Sequence, residues 1–277
     1  MTGPYAFAPV AAGRFSGLMS PEFIAAGLTR LFEADRFPGP GFEVEHVHGN
    51  IGVTWRVSSP ALPCPLFAKR FVHPPLVALR SLFRATGAGR SWRAATIMAE
   101  TGIPGPRPVA VMSRKAAGLT VESIFVSAAI ADPLDRDLER WFRSRFDRPD
   151  LGPELLAEKR EAIDRLADLY RAAHSQSRLY FPDFHPHNMV VTRENGRLRL
   201  WLVDFDEVNF RVRTGDIIKN LASLGRNSVK VQKKMTGGGR ITTGDRLRFL
   251  RRYLGPDATR DSVHRLWREV LDNWERR

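Results

Sequence analysis

Two β-rich runs, Met189-Val190-Val191 and Leu198-Arg199-Leu200-Trp201-Leu202-Val203, are joined through Glu194-Asn195-Gly196. Asn-Gly is a strong hairpin signal, because both residues tolerate the positive φ that a type I′ turn demands. Once the strands pair, the open end of the hairpin is specified. Asp183-Phe184-His185-Pro186-His187-Asn188 leads into the first strand, and Asp204-Phe205-Asp206 leaves the second. Pairing brings Asn188 and Asp204 together and concentrates oxygen ligands at one point. Such a point suits Mg²⁺, which takes carboxylate and amide oxygens along with substrate phosphates. Asp183 rides on the same loop with its carboxylate free to orient a hydroxyl, the arrangement of a phosphoryl-transfer centre.

The rest of the chain falls into two parts. Glu43 to Val57 reads as two short extended segments around His48-Gly49-Asn50-Ile51-Gly52, and Leu66 to Phe71 reads as a further strand. Arg80 to Thr101 has helical composition, with Thr86-Gly87-Ala88-Gly89 predicted to break it in two. Gly102-Ile103-Pro104-Gly105-Pro106-Arg107-Pro108 stops the helix. Val109 to Met112 and Ser123 to Ser127 are further strands. Beyond about Asp132 helices dominate, the clearest being Glu154 to His174, where Leu156, Ile163, Leu166, Ala167 and Tyr170 recur at helical spacing. The expected class is α+β, with residues 1–130 forming a mainly antiparallel sheet with one main helix, and residues 131–277 a helical part that carries the hairpin.

Composition narrows the function. The chain of 277 residues is 43% hydrophobic and 26% charged, enough apolar surface for a large core, and no apolar run approaches a membrane span. Its one cysteine, Cys64, rules out an internal disulfide and a thiolate metal cage, and with no charged segment ahead of the apolar N-terminal residues a cytoplasmic protein is expected. The formal net charge of +13 is unevenly placed: residues 46–99 carry seven basic groups and no acid, and residues 211–277 carry seventeen basic against seven acidic groups. This excess favours a polyanionic partner, whether nucleic acid, a phospholipid surface or a phosphorylated substrate, and charge alone does not choose among them. The tryptophans are scattered rather than interleaved with the basic runs and read as core residues, and no zinc-finger or RNA-binding sheet signature appears, so nucleic acid is the weaker explanation.

Asp-x-His-Pro-x-Asn followed by Val-Asp-Phe-Asp resembles the catalytic and metal-binding loops of the protein-kinase-like fold, and within it the bacterial lipopolysaccharide kinases that phosphorylate core heptose or Kdo sugars. Arg90-Ser91-Trp92-Arg93, the proline-rich segment after it, and Asp245-Arg246-Leu247-Arg248-Phe249-Leu250-Arg251-Arg252-Tyr253-Leu254 are similar to the same group. The resemblance implies a two-lobed kinase-like fold using ATP and Mg²⁺, acting on a lipopolysaccharide saccharide at the inner membrane. It implies Asp183 as the catalytic base and Asn188 and Asp204 as metal ligands. Lys69 would contact the α and β phosphates, Gly49 and Gly52 would lie in the loop covering the phosphates, and backbone near Ala128 to Ile130 would meet the adenine.

Two positions depart from that pattern. Ser91 stands where such kinases carry the glutamate that pairs with the strand lysine, and Phe181 stands where a histidine usually precedes the catalytic aspartate. No acid lies between Glu45 and Glu100, and Glu100 sits near the helix end, so a weakened or rearranged pairing of Lys69 is expected. These departures keep open a pseudokinase that binds nucleotide or a partner, and the fold itself leaves a second alternative, a kinase of the aminoglycoside or choline type. The second requires an acidic acceptor surface, the reverse of residues 211–277. His185 and His187 are read as structural, His174 as the end of its helix, and Cys64 as a small side chain in a loop.

Overall fold

The computed structural model describes residues 5–33, 37–47, 52–177, 179–238 and 240–275. The chain divides into two compact units. One comprises residues 1–100, 105–130 and 205–207, and the other residues 101–104, 131–204 and 208–277.

The first unit begins with a hairpin, β1 (Ala8–Ala12) and β2 (Phe15–Met19), then two short helices, α1 (Pro21–Ala25) and α2 (Arg30–Glu33). There follow β3 (Glu43–Val47), β4 (Val53–Ser58), β5 (Leu66–Val72), α3 (Pro75–Arg80), α4 (Gly87–Glu100), β6 (Pro108–Ala116) and β7 (Leu119–Ala128). The seven strands form one antiparallel sheet in the order β1-β2-β6-β7-β5-β4-β3.

Because side chains alternate along a strand, the sheet has two distinct faces. Leu66, Ala68, Ala110, Met112, Ile124 and Val126 pack with Phe23, Leu31 and Phe32 of α1 and α2 in a buried core. Lys69 and Phe71 lie on the opposite face, where a Cβ built on Gly87 would come 2.7 Å from the Phe71 ring. That contact corrects the predicted helix break. Thr86 caps α4 by accepting a hydrogen bond from the Gly89 N–H at 3.1 Å, so the glycines open the helix against Phe71 rather than interrupt it. The interruption lies upstream, between Arg80 and Gly87.

The second unit contains α5 (Leu138–Phe146), α6 (Pro153–Ser175), the hairpin β8 (Met189–Glu194) and β9 (Arg197–Leu202), α7 (Thr214–Lys233), α8 (Thr243–Leu254) and α9 (Arg260–Glu275). Asn195 and Gly196 take φ of 49° and 77°, the left-handed pair a type I′ turn requires. The acids of α6 meet the arginines of α8: Asp164 with Arg248 and Asp168 with Arg252, each through two nitrogens. Lys159, buried at 3% exposure, lies 2.7 Å from Asp245 and donates to the Arg240 carbonyl. Among the described residues no helix is long and apolar enough to cross a membrane.

Candidate active site

The loop from Phe181 to Asn188 is held at two backbone points that bracket Asp183. Burial favours the neutral form of Tyr170 and raises its pKa well above the usual phenol value, so it is a hydrogen-bond donor. Its hydroxyl donates to the Phe184 carbonyl at 2.7 Å, and its ring stacks on Phe184 at 3.8 Å. The second point is Phe181, whose carbonyl accepts from Asn220 Nδ2 at 2.9 Å. With its amide nitrogen spent there, Asn220 presents Oδ1 to His174 Nε2 at 3.1 Å, which makes Nε2 the protonated nitrogen. His174 Nδ1 then accepts from the Tyr253 hydroxyl at 3.0 Å, and burial holds that phenol at a pKa of about 12. Burial also pushes the His174 pKa down, with Asn220 opposing. His174 does lie in the last turn of α6, but it anchors the loop rather than merely ending the helix. The buried Phe181 fills space, and its main chain takes the hydrogen bond.

Asp183 itself is half exposed. Asn227 Nδ2 lies 2.6 Å from His185 Nδ1, so the ring nitrogen that bears hydrogen is Nε2, which sits 2.6 Å from Asp183 Oδ1. Asn188 Nδ2 donates to the other carboxylate oxygen at 3.1 Å and to the Asp183 carbonyl at 2.9 Å. A short 3-10 turn, Pro186–Asn188, carries the chain into β8. The Val203 N–H donates to the Asn188 carbonyl at 2.8 Å, extending the ladder beyond Met189 and Leu202 to the residue before Asp204. Asp204 adopts φ of 57°, left-handed backbone that a non-glycine residue rarely occupies and that clusters at functional sites. His187 turns away from this group toward Glu139, 2.8 Å from Nε2.

Within the first unit, Lys69 lies on β5 beside Phe125 of β7, and its amine is 3.1 Å from Asp206 Oδ2. The two side chains are 16% and 9% exposed. Phe205 packs on Phe125, and the Asp206 carbonyl accepts from Arg90 Nε at 2.8 Å. Helix α4 thus contributes an arginine that holds the acid's main chain. Ser91, where a glutamate was expected, is buried and donates to the Gly87 carbonyl at 3.1 Å. Lys69 thus has an acidic partner distant in sequence, Asp206. Gly52 has φ of 91°, and a Cβ there would stand 2.5 Å from the Arg70 carbonyl oxygen, so close approach to β5 requires glycine. Gly49 lies outside the described residues. The Ala128 N–H donates to the Arg107 carbonyl at 2.9 Å, and the Ala129 N–H to Pro65. Ile130 ends this part of the unit.

The second unit thus carries a loop aspartate held by histidine and asparagine and a hairpin ending in a left-handed aspartate, and the first unit a strand lysine paired with an acid. Residues 76–253 match the model of the lipopolysaccharide kinase (Kdo/WaaP) family. The chain belongs to the lipopolysaccharide kinase family. Within it, the chain is 28% identical over 158 residues to a 3-deoxy-D-manno-octulosonic acid kinase of Actinobacillus succinogenes, an alignment covering 56% of this chain and 58% of that relative. The chain therefore spans well under two thirds of the relative's length. A solved structure described as WaaP in complex with acyl carrier protein is similar in fold, with a TM-score of 0.63, 20% identity, and coverage of 85% of this chain and 87% of that one.

For this lipopolysaccharide kinase family member, Asn188 and Asp204 offer the hard oxygen donors that suit Mg²⁺. Three of the polar residues that support these groups were given no such role by the sequence. Asn220 and Asn227 sit on α7 with no local motif, and Asp206 was read only as part of Val-Asp-Phe-Asp. His185, read as structural, stands at i+2 from Asp183 and holds one oxygen of its carboxylate.

Proposed function

We propose that the protein transfers the γ-phosphoryl group of ATP to a hydroxyl of a lipopolysaccharide core sugar, a heptose or Kdo, working at the inner membrane's cytoplasmic face. The observation that carries this reading is the Asp183 carboxylate, oriented at one oxygen by His185 and at the other by Asn188. In the proposed step the acceptor oxygen forms a bond to the γ-phosphorus while the bond from that phosphorus to the bridging oxygen of ADP breaks. The acceptor proton passes to Asp183. Asn188 and Asp204 are assigned to Mg²⁺, which neutralises phosphate charge when bound. Lys69 contacts the α and β phosphates, and Asp206 holds its amine in place between turnovers. Gly49 and Gly52 lie in the loop assigned to the phosphates. The adenine is assigned to backbone near Ala128 and Ile130; because the Ala128 N–H is committed to Arg107, recognition falls on other main-chain groups there.

The test is transfer of ³²P from ATP to deacylated core saccharide by the purified full chain. Asp183→Ala is expected to lower acceptor-dependent transfer by about 10²- to 10⁴-fold while ATP still binds. Wild-type protein that transfers no phosphate to any core saccharide, or an Asp183→Ala variant as active as wild type, overturns the reading.

A further inference from the structure

Eleven large hydrophobic residues are exposed among those described, and six of them lie between Val72 and Phe83. Leu76 is 77% exposed, Leu79 51%, Leu82 55% and Phe83 86%. Single exposed apolar side chains are ordinary, whereas a cluster of this kind marks an interaction surface. The segment is firmly mounted. The His73 N–H donates to the Val121 carbonyl, and His73 Nε2 lies 2.9 Å from Ser123 Oγ. Ala78 is buried, while Ser81 Oγ donates to the Ala78 carbonyl and accepts from the Thr120 N–H. The inward residues therefore fasten α3 and the turn after it to β7. Leu76 and Leu79, spaced i and i+3, share the outward side of α3, and Leu82 and Phe83 are exposed in the turn that follows it. Arg80 and Arg84 follow one helical turn apart, both exposed.

Charge selects the partner. Among the described residues neither Arg80 nor Arg84 has an acidic partner, and the chain has no acid from 46 to 99. The C-terminal basic block differs: Arg248, Arg252, Lys219 and Lys234 are each paired with a carboxylate, which leaves less bare charge than the residue count suggested. Aliphatic side chains beside unpaired arginines suit a bilayer, whose acyl region takes the leucines and whose anionic headgroups take the guanidinium groups. Single-stranded nucleic acid calls for stacking aromatics, and this surface offers one ring.

We infer that residues 72–84 are a membrane-docking surface that inserts Leu76, Leu79, Leu82 and Phe83 into the interface of an anionic bilayer, with Arg80 and Arg84 at the headgroups. The inference deepens the proposed function by naming the surface that brings the enzyme to a membrane-borne acceptor, and its assay requires neither ATP nor acceptor.

The experiment is cosedimentation of the full chain with vesicles of phosphatidylcholine, alone or with about a third phosphatidylglycerol. Wild type is expected to prefer the anionic vesicles and to release as salt rises. Leu79→Ser with Phe83→Ser lowers the partition coefficient roughly a hundredfold, about tenfold per apolar side chain. Arg80→Gln and Arg84→Gln each lower it about fivefold and flatten the salt dependence. Because these side chains are exposed, all variants keep the wild-type circular dichroism and melting temperature, and they phosphorylate soluble deacylated saccharide at the wild-type rate. Wild type that ignores anionic lipid, or variants that bind as wild type does, overturns the inference. So does a wild-type dimer in sedimentation velocity that the Leu79→Ser and Phe83→Ser changes dissolve, since the face would then be self-associating. Vesicle binding without phosphate transfer refutes only the proposed activity, and transfer without vesicle binding refutes only the docking surface.

Discussion

Replacing Asp206 by Asn removes the charge opposite Lys69 and keeps the side chain's size. At 3.1 Å and an effective dielectric of about 20 the gross attraction is about 5 kcal/mol. The two side chains are only 16% and 9% exposed, so withdrawal from water offsets part of it, leaving an expected coupling of about 2 kcal/mol. Urea unfolding of wild type, Asp206→Asn, Lys69→Met and the double variant measures this as a cycle. Each single change removes one side of a mostly buried pair and is expected to cost about 3 kcal/mol, and the double change to cost about 2 kcal/mol less than the sum. The same cycle with Glu100→Gln in place of Asp206→Asn is expected to give no coupling. In the transfer assay Asp206→Asn should lower kcat/KM roughly tenfold to a hundredfold, because a lysine that loses this contact samples more orientations. An Asp206 coupling below about 0.5 kcal/mol, or a larger one for Glu100, would refute the assignment of the acid.

Two further results are expected. Gly52→Ala should destabilise by about 2–4 kcal/mol in urea titration, since it combines left-handed backbone with a Cβ 2.5 Å from the Arg70 carbonyl, whereas Gly118→Ala, at φ of 78° with open space around it, should cost only about 1 kcal/mol. Stability should also fall with acid: burial lowers the native pKa of His174 and of His73 below the unfolded value near 6.5, so the unfolded chain binds more protons in that window. Their contribution is complete above about pH 6.5 and is lost as pH falls through the native values; melting temperatures from pH 8 to 5 test this, and His174→Gln should flatten part of the slope.

The elements that were legible from sequence are those whose signals are local. The Asn195-Gly196 turn, the period of Glu154 to His174 and the short apolar-bounded run of Leu66 to Phe71 each require only near neighbours, and the corresponding elements formed there. Ala8 to Met19 has small and mixed residues with little alternation, and what makes β1 and β2 strands is their pairing with each other and of β2 with β6. The start of α4 was misplaced because Gly87 serves a contact with Phe71, sixteen positions away. In the same way Asp183, Asn188 and Asp204 stand in short runs beside a hairpin, whereas Asn227 and Asn220, which hold His185 and the Phe181 carbonyl of the Asp183 loop, arrive from α7 through tertiary packing.

Charge divides along the same line. From the sequence alone follow the number of basic residues, the acid-free stretch from 46 to 99, and the absence of a carboxylate at Ser91, because these are matters of composition and position. Which charges are neutralised follows from tertiary structure alone, since an ion pair forms wherever folding brings two side chains within reach. Folding supplies Lys69 with Asp206, supplies the arginines of α8 with the acids of α6, and leaves Arg80 and Arg84 beside exposed leucines.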